Sequence, residues 1–195
     1  MHPLKVELRN QIKQKIIALT PDQKSEYSKQ ANIHLLEFLY SRRYKNILLS
    51  HSLPDEIDTL NFLKNNIQKF NFYLPKVNVN NESLGVYPIL NLKTDLIKGK
   101  YDIYEPNTSE EMNWRTKLDS IVIPARALDI EGNRLGRGKG YYDHFLSNVL
   151  KNHTTIVCMI YHCQLISEVP VESFDVPIEY CITEKGVFHL RRKLL

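Results

Sequence analysis

Ser120-Ile121-Val122-Ile123-Pro124 and, a few residues on, Gly132-Asn133-Arg134-Leu135-Gly136-Arg137-Gly138-Lys139-Gly140-Tyr141-Tyr142-Asp143 decide how this chain reads. The first run is unbroken branched apolar sequence closed by proline, the pattern of a strand buried on both faces of a sheet. The second is a glycine-rich loop that opens into a helix expected from about Tyr141 to Leu150. Strands that alternate with helices argue for a mostly parallel sheet covered on both sides. The expected fold is therefore a three-layer α/β/α arrangement in a single domain over residues 1–195.

The same alternation extends outward in both directions. Val6, Leu8, Ile12, Ile16 and Leu19 give a loose helical stripe, and Thr20-Pro21-Asp22-Gln23 combines a capping box with proline at the first helical position. A second helix should run from there to about Tyr40. Lys45 to His51 reads as a buried strand, and Asp55 is placed to cap a helix whose face carries Ile57, Leu60, Leu63, Asn66 and Ile67. Phe70 to Leu74 and Ser83 to Pro88 read as strands, while residues 91–117 read as a long functional loop with a short edge strand. Thr154 to Tyr161 and Ile178 to Thr183 supply later strands, and Val187-Phe188-His189-Leu190 an edge. In open sheets of this kind the ligand crevice lies beyond the carboxyl ends of the strands, where the glycine loop would sit.

Composition narrows the functional classes. A hydrophobic fraction of 43% with 25% charged residues is that of an ordinary globular protein. No signal peptide or membrane span is read, so a cytoplasmic location is expected. Cys158, Cys163 and Cys181 are odd in number and match neither a CxxC nor a zinc spacing, which leaves them as reduced core thiols. The net charge of +4 suits either a nucleic-acid binder or an enzyme for polyanionic small molecules. Beyond the glycine loop, the one compact basic run is Arg191-Arg192-Lys193, read as a solvated tail.

Gly136, Gly138 and Gly140 occupy alternate positions, with Arg134, Arg137 and Lys139 between and beside them. Glycine admits positive φ and close approach of a ligand, so successive N–H groups can converge on an anion at a helix start. The sum describes a phosphate site, against the alternative of a basic surface turn. It is not a Walker A loop, because lysine is followed by Gly140 rather than serine or threonine, and it is not the GxGxxG fingerprint. Asp143, beside these cations, suits a salt bridge or a Mg²⁺ ligand.

Ile123-Pro124, Leu128-Asp129, Gly132 through Asp143 and Phe145-Leu146 resemble the signature of the 5-formyltetrahydrofolate cyclo-ligase family. Lys5-Val6-Glu7-Leu8-Arg9 is similar to that family's opening element, and Leu53-Pro54-Asp55-Glu56-Ile57-Asp58-Thr59 to its acidic loop. Leu74-Pro75-Lys76-Val77, Ile103-Tyr104-Glu105-Pro106, Tyr161 with Gln164, and Val169-Pro170-Val171-Glu172 with Asp175 follow in order. The family usually carries glycine and a nearby phenylalanine where this chain has Ala125-Arg126-Ala127-Leu128, and His144 replaces a basic residue.

The resemblance implies an enzyme that uses ATP and Mg²⁺ to convert 5-formyltetrahydrofolate into 5,10-methenyltetrahydrofolate. It assigns ATP binding to Lys5, Arg9, Arg134, Leu135, Gly136, Arg137, Gly138, Lys139, Gly140, Tyr141 and Tyr142, with Arg134 and Lys139 acting in catalysis. Folate binding falls to Glu56, Tyr101 and Arg137 through Tyr141, and Mg²⁺ to Asp143 and Asp175. A monomer that binds neither nucleic acid nor membrane is expected. The rivals are an isomerase or acyl-CoA-type enzyme that works without ATP, and a nucleic-acid module using the basic loop.

Overall fold

The computed structural model describes residues 3–78, 83–99, 104–108, 111–112, 118–149, 154–172 and 175–190. Two helices open the chain, α1 (Pro3–Ile17) and α2 (Pro21–Ser41). The capping box forms as the sequence predicts: the Gln23 amide donates to Thr20 Oγ1 at 3.1 Å while the Thr20 amide donates to Gln23 Oε1 at 2.9 Å. The expected stripe forms at Leu8, Ile12, Ile16 and Leu19, which pack in or against the core, and fails at one position. Val6 is exposed, and the buried face carries Lys5, Ile12 and Ile16, so a cation takes a place that apolar spacing alone gave to valine.

Seven strands make the main sheet: β1 (Asn46–Leu49), β2 (Asn71–Asn78), β3 (Ser83–Ile89), β6 (Ser120–Ile123), β9 (Thr155–Met159), β11 (Tyr180–Thr183) and β12 (Gly186–His189). Their order is β12-β11-β9-β6-β1-β2-β3, with parallel pairing from β11 through β2 and antiparallel strands at both edges. β6 and β9 are buried at every position, as their apolar runs require of strands covered on both faces. A short helix α3 (Leu60–Asn66) follows β1, and α4 (Tyr141–Val149) follows the glycine loop.

Side chains from alternate strand positions divide into two cores. Ile47, Leu49, Phe72 and Leu74 pack with Ile12 and Ile16 of α1, Leu35 of α2 and Phe62 of α3. Leu48, Ile121 and Ile123 pack with Phe145 and Leu146 of α4 on the other side. The result is the expected α/β/α layering around a large, mostly parallel sheet. Cys158 and Cys181 are buried free thiols, and burial pushes the Cys158 thiol up to about 12.

Two smaller sheets go beyond the sequence reading. β4 (Leu96–Lys98) and β5 (Tyr104–Pro106) form a hairpin within the stretch read as a loop with one edge strand. β7 (Ala127–Asp129), β8 (Arg134–Leu135) and β10 (Leu165–Ile166) form a three-stranded sheet beside the carboxyl end of β6. Asp55 does not cap α3. Asp58 Oδ1 instead accepts the amides of Leu60 and Asn61, because the helix begins only at Leu60, five residues beyond Asp55, which pairs with Arg126.

Candidate active site

The chain leaves β1 through α3 to reach β2 on one side, while β6 lies on the other side of β1. Their carboxyl ends are held level, the Ser50 amide donating to Val122 O at 3.1 Å. The loops that follow diverge there, which is where open sheets form a ligand crevice. One wall is the acidic loop after β1; the other is the glycine hairpin after β6.

Asp129 builds the hairpin. It is 1% exposed, and its carboxylate accepts the amides of Glu131, Asn133 and Val169 and the side-chain amide of Asn133. Gly132 completes the turn at φ 86°, with its carbonyl accepting the Ile178 amide at 2.8 Å. A Cβ at Gly132 would lie 2.3 Å from Ile178 O, so no side chain fits there. Gln164 fixes the approach: its Nε2 donates to the carbonyls of Ala125 and Arg126, and its Oε1 accepts the Tyr161 amide. The sequence gives a partial signal for these supports in the Asp129-x-x-Gly132 turn, and none for Gln164 beyond its match to the family.

The cations singled out in the sequence converge on this hairpin. Arg9 Nε donates to Gly136 O at 2.8 Å, docking α1 against the loop, and Lys5 lies one turn earlier on the same helix. Lys5 Nζ is bound at 2.7 Å to Glu172 and 2.8 Å to Asp175. Burial opposes the Lys5 charge, but these two carboxylates outweigh it and hold its pKa above the ordinary lysine value. Burial lowers the Arg9 pKa. Arg134 is buried, its guanidinium paired with Asp143 at 2.5 Å and lying over the Tyr142 ring. Arg9 Nη1 and Arg134 Nε are shielded from solvent yet have no hydrogen-bond partner. Shielded guanidinium N–H groups without an acceptor are costly, and a bound anion would satisfy them.

Other expected site residues divide by exposure. Arg137, Gly138, Lys139 and Gly140 are exposed at the tip, with Gly138 at φ 100° and Gly140 at φ 72°. The Leu135 side chain belongs to the core, which leaves only its backbone for a ligand. Tyr141 is half-buried at the start of α4. The Tyr142 phenol is turned toward Ser50, and burial raises its pKa well above the usual range. Asp143 and Asp175 are each committed to a cation, and no group of three or more metal-capable side chains occurs among the described residues. Tyr101 and the basic tail Arg191-Arg192-Lys193 lie outside the described residues.

Arg126, the departure from the family pattern, joins the two walls. It binds Asp55, whose other oxygen is held by Arg137 at 2.5 Å, and Arg137 also binds Glu56 at 2.6 Å. Burial works against the Asp55 charge, but Arg137 and Arg126 outweigh it and hold its pKa below the ordinary carboxylate value. The stabilisation from a carboxylate depressed in this way is complete above its unfolded pKa of about 3.9 and is lost as pH falls through the lower folded value. Asp55→Asn should therefore lower the urea midpoint at pH 7, by roughly 1 kcal/mol, and lose less further stability than wild type between about pH 4 and pH 2. Parallel acid-unfolding slopes in the two proteins would show that the pair contributes nothing.

A seven-stranded, mostly parallel sheet with a cation-lined hairpin at its switch point makes an open α/β fold whose crevice suits an anionic ligand. The chain belongs to the 5-formyltetrahydrofolate cyclo-ligase family, whose model matches residues 2–184. It is 29% identical over 174 residues to the 5-formyltetrahydrofolate cyclo-ligase of Haemophilus influenzae, covering 88% of this chain and 93% of that protein. It is 27% identical over 179 residues to the Escherichia coli enzyme of the same name, covering 91% and 98%. The solved structure of 5,10-methenyltetrahydrofolate synthetase from Aquifex aeolicus superposes with a TM-score of 0.84 at 29% identity, covering 98% of this chain and 95% of that one.

Proposed function

We propose that this protein catalyses the ATP- and Mg²⁺-dependent conversion of 5-formyltetrahydrofolate to 5,10-methenyltetrahydrofolate, with release of ADP and phosphate. The observation that carries the ATP half is the pair of shielded, unpartnered guanidinium nitrogens on Arg9, which docks on the glycine hairpin through Gly136 O, and on Arg134, within the hairpin itself. Polyanions satisfy such donors, and the exposed Lys139 adds mobile charge between two glycines at positive φ.

In this reading the formyl oxygen attacks the γ-phosphorus of ATP and ADP leaves. N10 then attacks the activated formyl carbon, phosphate departs with the former formyl oxygen, and N10 gives up its proton. No covalent nucleophile is required of the protein. Its residues bind two substrates side by side, exclude water and balance charge that spreads over the transferred phosphoryl group. Lys5, Arg9, Arg134, Lys139 and the hairpin amides serve the phosphates, while Glu56, Tyr101 and Arg137 through Tyr141 serve the folate. Lys5, Arg134 and Arg137 are already paired with Asp175, Asp143 and Glu56, so substrate exchanges one partner for another instead of entering an uncompensated field.

A Mg²⁺ that rides on a triphosphate needs one or two protein carboxylates and no closed cage. Asp143, in the first turn of α4, and Asp175 fit that requirement and would hold it. When bound, the ion neutralises charge on the phosphates. Asp143→Asn should raise the Mg²⁺ concentration for half-maximal rate by about tenfold, one charged ligand being worth roughly 1.4 kcal/mol. A wild-type titration curve removes Asp143 from the set. The proposal includes one domain over residues 1–195, a monomer and a cytoplasmic location, and excludes nucleic-acid and membrane partners. The deciding test follows methenyl absorbance and ADP release on adding 5-formyltetrahydrofolate with and without ATP. Turnover without ATP, or none with it, rejects the function.

A further inference from the structure

A cavity of about 790 Å³ opens between α2, α3 and the loop that follows β1, with His51, Glu56, Asn32 and Tyr161 in its wall. Tyr161 ties this wall together, its hydroxyl donating to Glu56 O at 3.0 Å. His51 stands two residues beyond β1, at the carboxyl edge of the sheet, and its ring lies 5.8 Å from that of Tyr104 on β5. Both His51 ring nitrogens are shielded from solvent and neither makes a hydrogen bond of normal geometry, although the Ser52 backbone lies close enough to favour the ring's charge. Asn32 Oδ1, on the same cavity, is shielded and unpartnered as well.

Three shielded polar atoms without partners, on residues that share one cavity wall with Glu56, are a cost to the empty protein. A leucine at position 51 would avoid it. The ring is also chemically ready for a neutral partner. Burial is the chief influence on its ionisation and lowers its pKa, Lys64 acting in the same direction and the Ser52 backbone, Asp58 and Glu56 against it, which favours the neutral imidazole. A neutral imidazole offers one donor and one acceptor, so one of its nitrogens can meet an N–H or a carbonyl of a heterocycle.

We propose that His51 is a further substrate-contacting residue, which hydrogen-bonds the pterin of 5-formyltetrahydrofolate beside Glu56 and helps fix its position. The proposal rests on the folate reading above. It makes a prediction of opposite sign for stability and for binding, which a purely structural histidine would not give. His51→Leu should raise the melting temperature, because it removes an unpaired polar group, and raise the KM for 5-formyltetrahydrofolate by about tenfold. The KM for ATP should stay within a factor of two, on the order of the error expected for an untouched site. His51→Gln, which restores a donor and an acceptor, should recover part of the loss.

An unchanged folate KM in His51→Leu overturns the proposal and makes water the partner of the ring. An equal rise in both KM values together with a lower melting temperature also overturns it, as the mark of a structural role. Should the leucine variant fail to fold, the same comparison is made between His51→Gln and His51→Ala, where equal folate KM values overturn the claim. Failure of the function itself is seen separately, as a wild-type protein that neither binds nor converts 5-formyltetrahydrofolate.

Discussion

Lys139→Ala lowers turnover by about 10²–10³-fold and leaves the melting temperature unchanged, as expected for a charge aimed at a transition state. The expectation follows from where the side chain stands. Lys139 is exposed at the hairpin tip and, among the described residues, makes no hydrogen bond or ion pair. Its removal therefore takes nothing from the folded state. The neighbouring glycines leave the tip open, and an added Cβ at Gly140 meets nothing within 4 Å. If the tip closes on phosphates, the ammonium acts there and almost nowhere else. Steady-state kinetics alongside thermal unfolding decide it, and wild-type turnover in the variant would remove Lys139 from the catalytic set.

Arg134→Ala should abolish activity and also destabilise the protein, by roughly 3 kcal/mol, because it strands a carboxylate in a shielded site. Reading the sequence alone, one would expect the activity loss to dominate by far, since the side chain looks like part of an exposed basic loop. The structure places it in β8 with 4% of its side chain exposed, bound to Asp143 and lying over Tyr142. The two losses can be separated by a second change. Arg134→Ala combined with Asp143→Ala should regain much of the urea midpoint without regaining any turnover. A double variant no more stable than the single one would show that the pair is not the source of the instability.

The layering of this fold was legible because its strands carry the burden in their own sequence. Ile121-Val122-Ile123 and Ile156-Val157-Cys158 have no polar position to expose, so only a sheet covered on both sides suits them. The β7–β8 and β4–β5 hairpins were not legible, since two- and three-residue strands hold too few side chains to establish a period. The same limit applied at Lys5, whose place on a buried face depends on carboxylates 167 and 170 residues away. At the site, the residue types announced a polyanion. What they could not announce was the pairing among themselves: Asp55 reads as a helix cap until Arg126 and Arg137 are brought against it by two loops from different strands. Gln164 and His51 are hidden for a related reason, since their importance lies in which backbone or cavity they meet and not in any spacing along the chain.

Gly132 gives the hairpin a clasp at its root, with Ile178 O where any methyl group would have to go, whereas the far end is open around Gly140 and tethered through Arg137 to Asp55 and Glu56. A designer grafting a new anion-gripping finger onto this scaffold would thus have to keep both the clasp and the Arg137 tether, on which the aim of every graft depends.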